Sequence, residues 1–184
     1  MHINPYRRKF LNKLIWACAA SALSPLNTLK ATGKKNSNQS ISLIIDADTA
    51  NEVDDAFAIA RALVEPRFNI KGLCSAQWHT QANAPNDSVG RSQQINENLL
   101  KLMGQSAIPH PMGSNIPMVS EQRPQPSPAA RLIINEAHKM PKGEKLTVLT
   151  LGPATNTASA ILLDPSILPK LKCCYLGLWY NIKD

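Results

Sequence analysis

With 184 residues, 43% of them apolar, the chain is long enough for one domain with a buried core, which excludes a disordered polypeptide. Its formal charge of +7 does not mark a nucleic-acid-binding face. Arg7, Arg8, Lys9, Lys13, Lys30, Lys34 and Lys35 stand in the first 40 positions without a single acid, and they are the whole excess.

The chain opens on "YRRKFLNKLIWACAASALSPL", a basic stretch, an apolar stretch and then small residues near Ala20 to Ala22, which is the order of an export signal. Arg7-Arg8 followed by Lys9-Phe10-Leu11 resembles a twin-arginine signal and implies export of a folded domain to the periplasm. An ordinary Sec signal with an incidental arginine pair is the alternative. Cys18 raises a lipoprotein reading, against which Ile15-Trp16-Ala17 is a poor lipobox. Residues 1–31 are thus assigned to the signal and the start of a tether, 32–40 to a polar linker and 41–184 to the folded part. Beyond the leader no apolar run reaches the length of a membrane-spanning helix, so no stable membrane insertion is expected once the signal is removed.

"ISLIID" (41–46) is a short continuous apolar run, the pattern of a strand covered on both faces. From Val53 the spacing turns helical, with Val53, Ala56, Phe57, Ala60 and Leu63 expected on one apolar face. "FNIKGLCSA" (68–76) predicts a second strand, followed by a polar loop up to Asp87. Ile95, Leu99, Leu102 and Met103 mark a helix closed by Gly104. "AIPHPMGS" (107–114) allows a brief strand that its prolines confine to an edge or a start. Ser127-Pro128 is an N-cap and first-turn pair for a helix from Ala129 to about Lys139. "KLTVLTLGPATNTASAIL" (145–162) repeats the first strand-turn-helix pattern, and "LKCCYLGLWY" (171–180) is the last strand. Strands alternating with helices predict an α/β fold, an open, mostly parallel, Rossmann-like sheet with helices on both faces. Cys74, Cys173 and Cys174 have no metal-binding spacing and are expected to be small buried residues; His110 and His138 are expected at the surface.

The first strand ends in five carboxylates within ten positions, Asp46, Asp48, Glu52, Asp54 and Asp55. In such sheets ligands gather beyond the carboxyl ends of the strands. Crowded carboxylates raise one another's pKa unless a cation neutralises them, and an oxygen-only set favours calcium or magnesium over zinc. Asp54 and Asp55 could also be plain helix-start acids, but that leaves Asp46 and Asp48 unexplained.

Asp46-Ala47-Asp48 followed by Asp54-Asp55-Ala56 resembles the aspartate signature of the inosine-uridine preferring nucleoside hydrolases. "TLGPATNTA" (150–158) is similar to that family's later Gly-Pro-Leu-Thr-Asn type turn. The resemblance implies Ca²⁺ held by Asp48, Asp55 and the backbone carbonyl of Leu151, Asp54 as general base, and Asp46 beneath the site as an acceptor that orients it. It implies hydrolysis of the N-glycosidic bond of a ribonucleoside to base and ribose.

Five residues, Thr49 to Val53, separate Asp48 from Asp54 where the commonest family pattern has three; "TANEVDD" looks closer to a variant branch. There Asn51 could line the ribose pocket, and Glu52 is either an added ligand or a helix-start acid. His79 falls near the place of a family asparagine that approaches the ribose, with Gln77 beside it, and Trp78 could stack on a base; an exposed loop histidine and a core tryptophan are the alternatives. The family's later Glu-Phe-Asn segment and His-Asp pair do not follow Tyr180, so the chain is expected to be a truncated first half of a family domain, weakly active or inactive. A non-catalytic nucleoside-, sugar- or calcium-binding relative is the alternative, and the unpaired last strand leaves self-association open. A phosphotransfer domain with paired aspartates on magnesium leaves the "GPATN" turn unexplained.

Overall fold

The computed structural model describes residues 40–79 and 81–176. The segment read as an export signal, Cys18, nearly all of the expected linker and residues 177–184 lie outside the described residues. In chain order the elements are β1 (Ile41–Ala47), α1 (Asp54–Leu63), β2 (Phe68–Ser75), α2 (Ser88–Leu102), α3 (Pro128–His138), β3 (Leu146–Thr150), α4 (Thr155–Leu163), a 3-10 segment (Pro165–Lys170) and β4 (Leu171–Tyr175). The four strands form one sheet in the order β2-β1-β3-β4, and every pairing is parallel. The chain thus steps from β1 to β2 on one side and returns to β3 on the other. Beyond the carboxyl ends of β1 and β3 this reversal opens a crevice, because the connections leave in opposite directions.

Alternation along β1 explains the two covered faces. Leu43, Ile45 and Ala47 pack with Ile59, Ala62 and Leu63 of α1 and Leu100 of α2. Ile44 and Val148 face the other way, against Ala129, Ala130, Ile133 and Ala137 of α3 and Ala160 of α4. A strand buried on both sides needs apolar residues at every position, which is why "ISLIID" reads as a continuous run. Helix starts follow local chemistry. The Ser127 hydroxyl accepts from the Ala130 N–H at 3.1 Å with Pro128 in the first turn. Asp87 accepts from the Gly90 N–H at 2.9 Å. Gly104, at φ 67°, takes the left-handed conformation just after α2, as its place in the sequence suggests.

Four expectations need correction. The buried residues of α1 are Asp55, Ile59, Ala62 and Leu63, whereas Val53 and Phe57 are 75% and 72% exposed. The helix carries two apolar stripes, and the one buried is the one that also turns Asp55 inward. In α2 the buried face is Ser88, Val89, Ser92, Gln93, Asn96 and Leu100, and Leu102 is exposed. Its polar members hold neighbouring loops, a role that hydrophobic spacing does not register. Residues 107–114 supply a single bridge, Ser75 to Met112, since Pro109 and Pro111 have no N–H to extend it. Cys74 is buried, but Cys173 is exposed on β4, and all three described cysteines are free. Among the described residues no helix is long and apolar enough to cross a membrane.

The turn from α1 to β2 is closed by Glu65, whose side chain is 8% exposed. It accepts from Arg67 Nε and Arg61 Nη2, both at 2.7 Å. These bonds, Arg67 first and Arg61 second, hold its pKa down to about 2 from an ordinary 4.5. A carboxyl depressed on folding stabilises above its unfolded pKa and loses that contribution as pH falls toward the folded value. Both arginines are largely exposed, so solvent screening keeps the contribution small. Glu65→Gln should therefore lower the thermal midpoint at pH 7, with the gap to the wild type closing between pH 4.5 and about 2. A gap that persists at the acid end would point to lost packing instead.

Candidate functional site

Asp46 shares the face of Ile44, so its carboxyl enters the layer between the sheet and α4, where it is fully buried. Asn156 Nδ2 donates to its Oδ1 at 2.9 Å and Thr157 Oγ1 to its Oδ2 at 3.3 Å. Burial, only partly offset by these two donors, pushes its pKa up to about 7.

Asp48 stands one residue beyond β1 and is 5% exposed. Its backbone carbonyl accepts from the Asn51 N–H at 2.7 Å and its Oδ2 from Asn51 Nδ2 at 3.2 Å, closing a tight turn toward α1. That turn is fastened to the polar face of α2. Thr49 Oγ1 donates to Asn96 Oδ1 at 2.6 Å, and the Ala50 N–H points to Ser92 Oγ at 3.4 Å. The turn delivers Asp55, 6% exposed, into hydrogen-bonding contact with Asp48. Burial first, and then the charges of Asp48 and Asp54, raise Asp55 to about 7; burial raises Asp48 to about 6. Two buried carboxyl groups so placed resist ionising together. Asp54, the preceding residue, is exposed.

From the other side of the crevice comes the turn after β3. The Leu151 N–H donates to the Asp46 carbonyl at 2.8 Å. Gly152 then lies so close to Asp48 that a methyl group there would collide with its Oδ1 and Cγ. The two strand ends enclose a cavity of about 580 Å³, within the range of roughly 300–1,000 Å³ usual for small-molecule sites. Asp48, Asn51, Glu52, Asp54 and Asp55 form one wall, Leu151, Gly152 and Pro153 another, Gln77, Trp78 and Gln81 a third, and Tyr175 and Leu176 complete it.

Of the residues singled out in the sequence, Asp48, Asn51, Asp54, Asp55, Trp78 and Leu151 share this cavity, and Asp46 lies beneath it. His79 is not in its lining; its N–H donates to Gln77 Oε1 at 2.7 Å. Gln77, 2% exposed, takes the wall instead, and its Nε2 donates to Thr155 Oγ1 at 3.2 Å. Counting from strand ends would have found it, because the lining residues Asp48, Gln77, Leu151 and Leu176 each follow a strand by one or two positions. Among the described residues the buried Trp78 indole N–H has no hydrogen-bond partner.

Asp48 and Asp55, with Leu151 and its backbone carbonyl in the adjoining wall, offer an oxygen-only donor set that suits a hard cation, and a cation there would favour the ionised form of both carboxyl groups. The set is short in number. Among the described residues no three His, Cys, Asp or Glu side chains gather closely enough to hold a metal ion, whereas calcium takes about six to eight oxygens.

Comparison with known proteins agrees with this architecture. The chain superposes on an inosine-guanosine nucleoside hydrolase with a TM-score of 0.58 and 24% identity, over 73% of this chain and 48% of that one. It superposes on a purine-preferring ribonucleoside hydrolase from Gardnerella vaginalis with a TM-score of 0.54 and 23% identity, again over 73% and 48%. The chain thus spans about half the length of the solved relatives it matches. No curated protein matches its sequence. The family model for inosine-uridine preferring nucleoside hydrolases matches residues 43–177, nearly the whole described sheet and its helices. By that match, the chain is a member of the inosine-uridine preferring nucleoside hydrolase family.

Proposed function

We propose that the chain carries the cation-binding and base-bearing side of a site for calcium-dependent hydrolysis of ribonucleosides to base and ribose. The observation that carries this reading is the pair Asp48 and Asp55, buried together at the point where the sheet's connections diverge and, among the described residues, without a basic partner. Asp48, Asp55 and the Leu151 carbonyl would hold the ion. When bound, calcium would supply Lewis acidity toward a water and the ribose hydroxyls.

The remaining work falls to the chain's own groups. Asp54 at the start of α1 lines the cavity and, being exposed, can take a proton from the water that attacks the anomeric carbon. The transition state is oxocarbenium-like and cationic, so the surrounding carboxylates favour it over the neutral substrate. Asn51, whose amide nitrogen is committed to Asp48, keeps its side-chain oxygen for a sugar hydroxyl. Trp78 offers a flat wall to a base. A non-catalytic, calcium- or nucleoside-binding role is the second reading, favoured by the short carboxylate set.

Three measurements test these assignments. Reducing-sugar release from inosine and uridine, followed with CaCl₂ and with EDTA, should appear only with calcium and fall at least about 100-fold in Asp54→Asn, while calcium uptake is kept. Turnover that survives the substitution removes Asp54 as the base; no turnover in the wild type alongside calcium uptake favours the binding role.

Thermal melts in EDTA should show stability falling as pH rises from about 4 to 8. The folded chain holds protons at Asp46, Asp48 and Asp55 up to about pH 6 to 7, which the unfolded chain has released near 3.8. Calcium at 100 times its dissociation constant should restore roughly 2.7 kcal/mol at pH 8, and much less at pH 5. Asp55→Asn should make the EDTA profile shallower, leaving the share due to Asp46, and abolish the calcium effect.

Gly152→Ala should weaken calcium binding about tenfold or more by displacing Asp48, with the fold retained by circular dichroism. Unchanged affinity would remove Asp48 from the ligand set.

A further inference from the structure

We infer that Asn156 is the positioning residue of this site, fixing the end of β1 that presents Asp48 against the turn that presents Leu151; the inference rests on the calcium reading above. Asn156 is the second residue of α4 and is completely buried. Its Nδ2 donates to Asp46 Oδ1 at 2.9 Å and to the Ser75 carbonyl at 3.1 Å. Its Oδ1 accepts from the Ser114 N–H and from Ser127 Oγ, both at 3.1 Å. Two donors and two lone pairs are the full capacity of an amide side chain, so each of its bonds is used.

Those four bonds reach four different segments: the last turn of β1, the end of β2, the loop at Ser114 and the cap of α3. The loop is shaped for the amide, because a methyl group on Gly113 would collide with Asn156 Nδ2 and with the Ser75 carbonyl. Asp46 is gripped from two sides, by Asn156 and the longer bond from Thr157 on its carboxyl and by the Leu151 N–H on its carbonyl. Asp48 lies two residues further on, and Leu151 opens the turn that leads into α4. The backbone pairing of Asp46 with Thr150 sets the spacing of the two strand ends, and Asn156 ties that junction to α4, β2 and α3 without touching the cavity, in whose lining it takes no part.

A purely structural asparagine would lower stability and affinity together. Ser127→Ala is the control: it removes one bond from Asn156 and the cap of α3, and leaves the bond to Asp46 intact. Calcium affinity of the full chain, measured calorimetrically with CaCl₂ alone, is to be set against the melting temperature in EDTA. Asn156→Ala should lose about tenfold to 100-fold in affinity, whereas Ser127→Ala should stay within about twofold whatever its fall in melting temperature. Asn156→Asp keeps the two accepted bonds and loses the two donated ones, so it should lose affinity as alanine does; it also serves if the alanine variant does not fold. Wild-type affinity in Asn156→Asp, or an equal loss in Ser127→Ala at the same fall in melting temperature, overturns the inference while calcium binding stands. No calcium uptake by the wild type overturns the reading of the site and the inference with it.

Discussion

Three carboxyl groups at the carboxyl end of β1 are taken out of water, and among the described residues none of them is paired with a cation. Burying an ionised carboxylate without a partner costs several kcal/mol, so the fold must either protonate these groups or compensate them. It compensates Asp46 with Asn156 and Thr157, and leaves Asp48 and Asp55 with raised pKa values, burial being the largest cause in both. The polar inner face of α2, the glycine at 152 and the turn from Asp48 to Asn51 all serve this one arrangement. It is a constraint on stability accepted at a site, and stability elsewhere must be drawn from the two hydrophobic layers.

Those layers are ordinary, and their division of labour is plain. Alanines on α3 and α4 let the helices approach one face of the sheet, while leucines and isoleucines of α1 and α2 fill the other. The asymmetry brings α4 close enough for a short side chain such as Asn156 to cross to β1. A bulkier helix face would hold the amide out of reach of Asp46.

Much of this was legible in the sequence where local chemistry decides. The continuous apolar run of β1, the Ser127-Pro128 cap and the glycine after α2 each have one physical reading, and each fell where expected. The face of α1 was misread because hydrophobic spacing scores Val53 and Phe57 as core, whereas the helix is oriented by Asp55. Asn96 and Ser92 escaped for a related reason, since their partners Thr49 and Ala50 are more than 40 residues away. The resemblance points to His79, near the place of a family asparagine, whereas the wall is set by distance from the end of β2 and takes Gln77. Periodicity tells which residues avoid water; it does not tell which polar groups meet one another.

The strand order carries a kinetic corollary. β1 is central, yet its partner β3 is made roughly a hundred residues later, with Leu43 beside Thr147. Contacts of such long sequence separation form late and slowly. Asp46 gains its two side-chain donors only from that later half, since Asn156 and Thr157 both lie beyond β3. The crevice itself is complete only once the second half of the sheet has docked, because Leu151, Gly152, Pro153, Tyr175 and Leu176 line it.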